Sequence, residues 1–219
     1  MAKQNKQAIF TTSLVDQVYQ YLLEKIISNE LSYGDNLNIK ELSETLGIST
    51  MPVREAIKRL EYDRVVEIKP RSSCQIRVPD TAEITSIYEL REALELFAIK
   101  KFLKNFVPSK LEVLENIVTQ MKSVQDIKSP KVRTQQAMEL DQQFHKELCS
   151  LGDNEYLNLY HRQLSLHLNM AAIHAKTYQQ LEGKYFQSHM NIVEHLREQS
   201  SEALGSLEQH FDNVWAVLQ

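Results

Sequence analysis

Only 5 Gly and 5 Pro occur in 219 residues, too little turn-forming material for the many tight corners of a sandwich or barrel, so a helical fold is expected. The two cysteines, Cys74 and Cys149, are too few and too far apart for a disulfide framework or a thiolate metal cluster, which fits a reducing compartment. No apolar run approaches the roughly 18 to 20 residues needed to span a bilayer, and Met1 to Phe10 holds no apolar segment of the secretory kind. A cytoplasmic chain with no membrane partner is the expectation. Neither charge sign dominates: 25 Lys and Arg against 29 Asp and Glu leave a net charge of -4, which excludes a globally basic coat but leaves room for a locally basic surface. No internal repeat or low-complexity tract is present. The length suits one or two domains, each able to bury a core, and two are expected.

What is there divides into two kinds of pattern. From Ser13 to Ile27 the residues Leu14, Val15, Val18, Leu22, Leu23 and Ile26 recur at three and four, which predicts an amphipathic helix with Ser13 as its N-cap. Gly34 breaks the pattern. A short helix carrying Leu42 and Leu46 ends at Gly47, and a third begins after Ser49 with Pro52 in its first turn and Val53, Ala56, Ile57 and Leu60 as its buried stripe. Then the period changes. Val66 and Ile68 alternate, Pro70-Arg71-Ser72-Ser73 is turn-like, and Cys74, Ile76 and Val78 alternate again, which predicts a two-stranded hairpin. Beyond Pro79 the stretches 83–105, 109–127, 131–150, 154–177, 181–199 and 201–218 all read as helices, separated by Pro108, Pro130, Gly152-Asp153, Gly183 and Ser200-Ser201. The expected domains are therefore 1–78 and 79–219. Residues 1–78 hold 11 Lys and Arg against 10 Asp and Glu, and 79–219 hold 14 against 19. A head slightly more basic than its body has the sign expected of a DNA-binding module.

Helix, Gly-containing turn, helix and hairpin form the layout that places one helix in the major groove and a wing beside the backbone or minor groove. In this arrangement Leu42, Leu46 and Ile48 pack inward and Gly47 permits the turn. With Val53, Ala56, Ile57 and Leu60 in the core, Thr50, Met51, Arg54, Glu55 and Lys58 are left on the opposite face. Arg54 and Lys58 lie one turn apart. Together with Arg59, Arg64, Lys69, Arg71 and Arg77 they suit phosphates, and Arg54 also suits a guanine edge. The alternative is a solvated helix face with ordinary surface charge.

The run from Leu42 to Leu60, with Leu46-Gly47-Ile48-Ser49 leading into Pro52-Val53-Arg54-Glu55-Ala56-Ile57, resembles the signature of the GntR family of regulators. The resemblance covers about residues 13–78. It implies a winged helix-turn-helix in a homodimeric transcription factor that binds double-stranded operator DNA, its recognition helix starting near Ser49. The residues it assigns to DNA are Lys40, Ser49, Thr50, Met51, Arg54, Lys58, Arg71 and Ser73. Many relatives carry Arg-Thr in place of Thr50-Met51, and Gly in place of Arg64 and of Ser73.

In the body, Asp141 and His145 stand at i and i+4, so on a helix both project from one face and can grip one ion. His189 shares a stripe with Ile192, Val193 and Leu196, and His210 shares one with Leu207, Val214 and Val217, so both imidazoles should point into the bundle. Three neutral imidazoles and a carboxylate suit a divalent first-row metal with positions left for another ligand. Satisfied core histidines remain the bland alternative. The spacing of His195 from His189 turns it away from this face.

Asp141-Gln142-Gln143-Phe144-His145, Leu148 and Gly152-Asp153-Asn154-Glu155-Tyr156-Leu157 resemble the signature of the FCD effector domain, found in the FadR-type branch of the same family. This second resemblance covers about residues 83–217. It implies an all-helical antiparallel bundle of six to seven helices, with Asp141, His145, His189 and His210 as ligands of a divalent metal that helps bind a small organic acid effector. Zinc and nickel lead, and manganese and iron also fit the ligand set. Tyr88-Glu89-Leu90-Arg91-Glu92-Ala93-Leu94-Glu95 is similar to the opening of this domain. Arg91 is thus a candidate for the effector carboxylate, set against a surface helix pair with Glu95. His161, His167 and His174 fall on one long stretch, where a shared cavity lining by His167 and His174 at i+7 is set against the more ordinary surface or core roles. The resulting expectation is a mostly α, metabolite-responsive regulator, a repressor in the manner of most relatives, and not an enzyme. A metal-dependent hydrolase with Glu139 or Glu147 as base, and a regulator whose metal is purely structural, are the alternatives.

Overall fold

The computed structural model describes residues 13–27, 30–32, 34–69, 73–170 and 184–218, with two compact units at Met1–Val78 and Pro79–Gln219. Among the described residues the fold is mostly helical with one small sheet. Arg71, the side chains of Ser73 and His167, and His174 lie outside the described residues. No helix among the described residues is long and apolar enough to cross a membrane.

In the first unit, Ser13 Oγ accepts the Asp16 amide at 3.1 Å and donates to Asp16 Oδ2 at 2.7 Å, so α1 (Leu14–Ile27) starts on the expected cap. Val18, Leu22, Leu23 and Ile26 are buried, while Leu14 stays exposed. Asn38 caps α2 (Ile39–Leu46) by accepting the Lys40 and Glu41 amides. Gly47 ends it in the left-handed region at φ 64°, which lets the Ile48 amide reach back to the Ser43 carbonyl. Helix α3 (Thr50–Tyr62) buries Val53, Ala56, Ile57 and Leu60. Against expectation, Leu42, Leu46 and Ile48 are only half-buried and Ser43 is the buried residue of α2. Among the described residues helix α2 packs mainly on α3, so much of its apolar face is left at the rim.

The expected two-stranded hairpin is a three-stranded antiparallel sheet, β1 (Asn36–Leu37), β2 (Val66–Lys69) and β3 (Ser73–Ile76), in the order β1-β3-β2. Leu37 pairs with Cys74 and Val66 with Ile76, and all four are buried. Two residues of β1 are too few to display an alternation; Gly34 at φ 82° turns the chain so that Asp35 O meets the Ile76 amide. The alternation also overstates the core, since Ile68 and Val78 are exposed.

The second unit is a bundle of α4 (Thr81–Lys104), α5 (Glu112–Val124), α6 (Pro130–Ser150), α7 (Glu155–Met170), α8 (Lys184–Arg197) and α9 (Glu202–Leu218). The stretch expected as one helix from 109 starts as a separate 3₁₀ turn at Pro108–Leu111 ahead of α5, with Pro108 in the first position, where no amide donor is required. Asp80 caps α4 by accepting the Glu83 amide at 2.8 Å. Helix α4 packs against α6, α7 and α9, and α6 against α4, α5 and α7, so these two helices hold the centre. Phe102, Phe144 and Phe211 are the largest fully buried side chains of the core. At the α6–α7 corner, Asp153 adopts φ 48° and Asn154 Oδ1 accepts the Tyr156 and Leu157 amides.

Candidate metal centre and nucleic-acid interface

On the first unit the buried stripe of α3 leaves Thr50, Met51, Arg54 and Lys58 exposed, with Ser49 just before them in extended conformation and without a side-chain cap bond. Lys40, on α2, is exposed and lies 3.9 Å from Glu44. The basic residues nearby differ in what already holds them. Lys58 Nζ donates to Glu55 at 2.9 Å, Lys69 pairs with Glu67, and Arg59 pairs with Asp16 while lying over the Tyr19 ring. Arg59 therefore braces α1 against α3, a use its sequence context did not suggest. Arg54 is exposed and makes no ion pair among the described residues.

On the second unit, Asp141 and His145 stand one turn apart on α6, His189 comes from α8 and His210 from α9. The helical stripe places each inward, and all four are buried. Their potential ligand atoms lie within 4.8 Å of one another. His189 Nε2 is 3.0 Å and His145 Nε2 3.2 Å from the same oxygen, Asp141 Oδ1. The three imidazoles have centroids 4.6 to 5.3 Å apart, and Phe144 stands edge-on to His189 at 4.5 Å and to His145 at 5.5 Å. Three basic rings cannot all carry protons at this separation without water. Burial and the neighbouring His189 and His145 hold His210 well below the usual imidazole value, so it stays neutral and available as a donor. His145 is the exception: burial and Arg91 push it down, but Glu95 and Asp141 outweigh them and hold it above the usual value. One carboxylate and three convergent imidazoles, buried and within reach of one centre, are a donor set suited to a divalent first-row metal. The residues present fit such an ion.

Behind these four lies a layer that sequence reasoning missed. His145 Nδ1–H donates to Glu95 Oε2 at 2.6 Å, and Glu95 Oε1 accepts from Arg91 Nε at 2.8 Å and His161 Nε2 at 3.0 Å. All three are buried. Burial would raise the Glu95 carboxyl, yet His145 and Arg91 hold it well below the usual carboxylate range. Burial lowers His161, which therefore donates as a neutral ring. The expected Arg91–Glu95 pair forms, but in the interior, because this face of α4 is covered by α6, α7 and α9. A signal was available: Arg91 and Glu95 interrupt the stripe Ile84, Tyr88, Ala98, Phe102, which is otherwise apolar and buried.

His210 Nδ1 is 2.9 Å from Ser188 Oγ. His195 faces elsewhere, with Ser206 Oγ 2.8 Å from its Nδ1. The two acids considered as bases lie apart from the cluster: Glu139 is exposed and accepts from Gln135, and Glu147 accepts from Ser150 and pairs with Lys146.

Residues 14–76 match the family described as bacterial regulatory proteins, gntR family, and residues 86–213 match the FCD domain. The chain belongs to the GntR family and carries an FCD domain. This GntR-family protein is a DNA-binding transcriptional regulator. It is 24% identical over 198 residues to the Nta operon transcriptional regulator of Aminobacter aminovorans, covering 88% of this chain and 90% of that one. It is 22% identical over 187 residues to the uncharacterized HTH-type transcriptional regulator YdhC of Bacillus subtilis, covering 85% and 82%. Its fold is similar to that of McbR/YncC of E. coli, with a TM-score of 0.75 at 21% identity over 95% of this chain and 98% of the other.

Proposed function

We propose that this regulator is a homodimeric repressor whose body, residues 79–219, binds a divalent metal, zinc or nickel, and a small organic acid, and whose head, residues 1–78, binds operator DNA. The observation that carries the reading is the buried convergence of Asp141, His145, His189 and His210 in an FCD domain. A divalent ion held by these four residues supplies a Lewis-acidic position for a ligand oxygen. The charge balance supports an anionic ligand. With neutral imidazoles, Asp141, Glu95 and Arg91 sum to one negative charge in the buried network. Two added positive charges reverse that sign and leave one for an anion to neutralise. Arg91 is the cation nearest to such a ligand's second oxygen in this reading, with Glu95 as its present partner.

In the head, Ser49, Thr50, Met51, Arg54 and Lys58 face the major groove, Lys40 meets phosphate, and Arg71 and Ser73 belong to the wing. The effector releases the operator to the extent that it binds the DNA-free arrangement more tightly, with a coupling of about 1–3 kcal/mol.

The test has two stages. Metal analysis of gently purified protein should give close to stoichiometric metal, lost in His189→Ala and His210→Ala. Operator binding should then weaken with one member of a panel of small carboxylates in the wild type and respond to none in those variants. Unchanged operator affinity across the panel would count against effector control. Unfolding on chelation would favour a purely structural ion instead.

A further inference from the structure

Glu95 is not one of the four convergent residues, yet among the described residues it is the buried carboxylate whose two oxygens are both hydrogen-bonded. Each oxygen is used, Oε2 by His145 and Oε1 by both Arg91 and His161, at 2.6 to 3.0 Å, and the residue is 0% exposed. An ionised carboxylate placed here without function would be a costly choice, since a buried ion pair is on average no better than apolar residues of the same volume. Its contact with His145 is at Nδ1, the ring nitrogen opposite the one that faces Asp141.

We propose that Glu95 is a positioning residue of the metal centre: it holds the Nδ1 proton of His145, fixes the ring plane, and so presents Nε2 to the ion, while Arg91 and His161 fix Glu95 in turn. The inference rests on the metal reading above. Its physical basis is that a neutral imidazole has one proton and one lone pair, so an acceptor at Nδ1 places the lone pair at Nε2. An anionic acceptor also makes that lone pair more basic, which strengthens the bond to a cation. Without Glu95, a neutral His145 could carry its proton on Nε2, donate to Asp141 and offer the ion nothing. Arg91 has a second effect. It shares the Glu95 charge, so a ligand that draws Arg91 away leaves more of that charge on His145, and effector and metal would then bind cooperatively.

The test uses the full chain, stripped of metal and titrated with zinc against a chromophoric chelator, with cobalt substituted for its visible spectrum. Glu95→Gln keeps the volume and removes the charge. It should weaken zinc binding by about 10- to 100-fold and alter the cobalt bands. His161→Gln, which removes one support of Glu95 but keeps its charge on His145, should weaken zinc binding by less than Glu95→Gln and shift the cobalt bands less. Affinity and spectrum unchanged in Glu95→Gln, or altered no more than in His161→Gln, would overturn the proposal. Should Glu95→Gln fail to fold because Arg91 is left unpaired, the double variant Arg91→Gln/Glu95→Gln removes both charges and should show the same loss of affinity; wild-type affinity there would also overturn it. His145→Ala separates the two levels of inference. If it binds zinc as the wild type does, the ligand assignment fails and Glu95 falls with it; if it loses zinc while Glu95→Gln does not, only the role of Glu95 fails.

Discussion

The Val65 amide closes back onto the Leu60 carbonyl at 2.8 Å, and Arg64, between α3 and β2, sits at φ 57° to allow it. With the Arg64 amide on the Glu61 carbonyl at 2.9 Å, this is a Schellman ending that carries the chain from α3 into the sheet, and Val65 is buried beneath it. A left-handed conformation costs a non-glycine residue about 1–2 kcal/mol, and glycine loses about 0.5–1 kcal/mol more than other residues in chain entropy. Arg64→Gly should therefore stabilise the head by about 0.5–1 kcal/mol, read as a rise in the urea midpoint at constant slope. A midpoint that falls would show that contacts of the arginine side chain outweigh the backbone strain.

A Cβ on Gly152 would stand 3.1 Å from Ala98 Cα and 3.2 Å from the Cys149 carbonyl oxygen. The α6–α7 corner thus lies backbone-close on α4, and Lys101 Nζ ties it there by donating to the Asp153 carbonyl at 3.0 Å. Both of these are backbone atoms and not the loose end of a side chain, so Gly152→Ala should cost about 1–3 kcal/mol, the usual range for an overpacked core. Because α4 also carries Arg91 and Glu95, the variant should weaken metal binding as well as lower the melting temperature. A variant as stable as the wild type would mean that the corner can move away from α4.

Much of this arrangement was legible from periodicity. The stripe Val53, Ala56, Ile57, Leu60 is buried as read, and the i, i+4 spacing of Asp141 and His145 puts both on one inward face. His189 and His210 followed from their apolar stripe-mates. Glu95 did not, because an Arg and a Glu four apart look the same on paper whether the helix face meets water or another helix. What separates the cases is the packing of α6, α7 and α9 on α4, which is tertiary. Strand β1 was missed for a different reason: its pairing with β3 depends on a left-handed turn at Gly34 and on residues some forty positions away. Local pattern also overstated burial at Leu42, Ile68 and Val78, where the head is too small to cover every apolar residue.

Cys74 and Cys149 are buried free thiols. Burial pushes Cys74 up to about 11 and Cys149 further still. A raised thiol value means less thiolate at neutral pH, so both should be unreactive toward a disulfide reagent in the folded protein and react together once it is unfolded in guanidinium. Raising the pH toward 9 should not release Cys74 while the fold persists. Rapid modification of one cysteine in native buffer would show that its unit opens locally.

Arg54 and Lys58 present the same charge on the same face of α3 but not the same availability. Lys58 is held by Glu55 at 2.9 Å, so a phosphate must compete for it, whereas Arg54 meets no such competitor among the described residues. An exposed pair of this kind is worth about 0–1 kcal/mol, small beside the about 1–3 kcal/mol of a bidentate arginine on a guanine edge. On an operator selected from random duplexes, Arg54→Ala should therefore weaken binding by about 10- to 100-fold and relax preference at one base position. Lys58→Ala should cost less, act alike on all sequences, and lower the salt slope by about one. Glu55→Gln should do the opposite, freeing Lys58 and tightening binding at low salt. Fluorescence anisotropy over a salt series distinguishes the three, and equal, sequence-independent losses for Arg54→Ala and Lys58→Ala would reduce Arg54 to a phosphate contact.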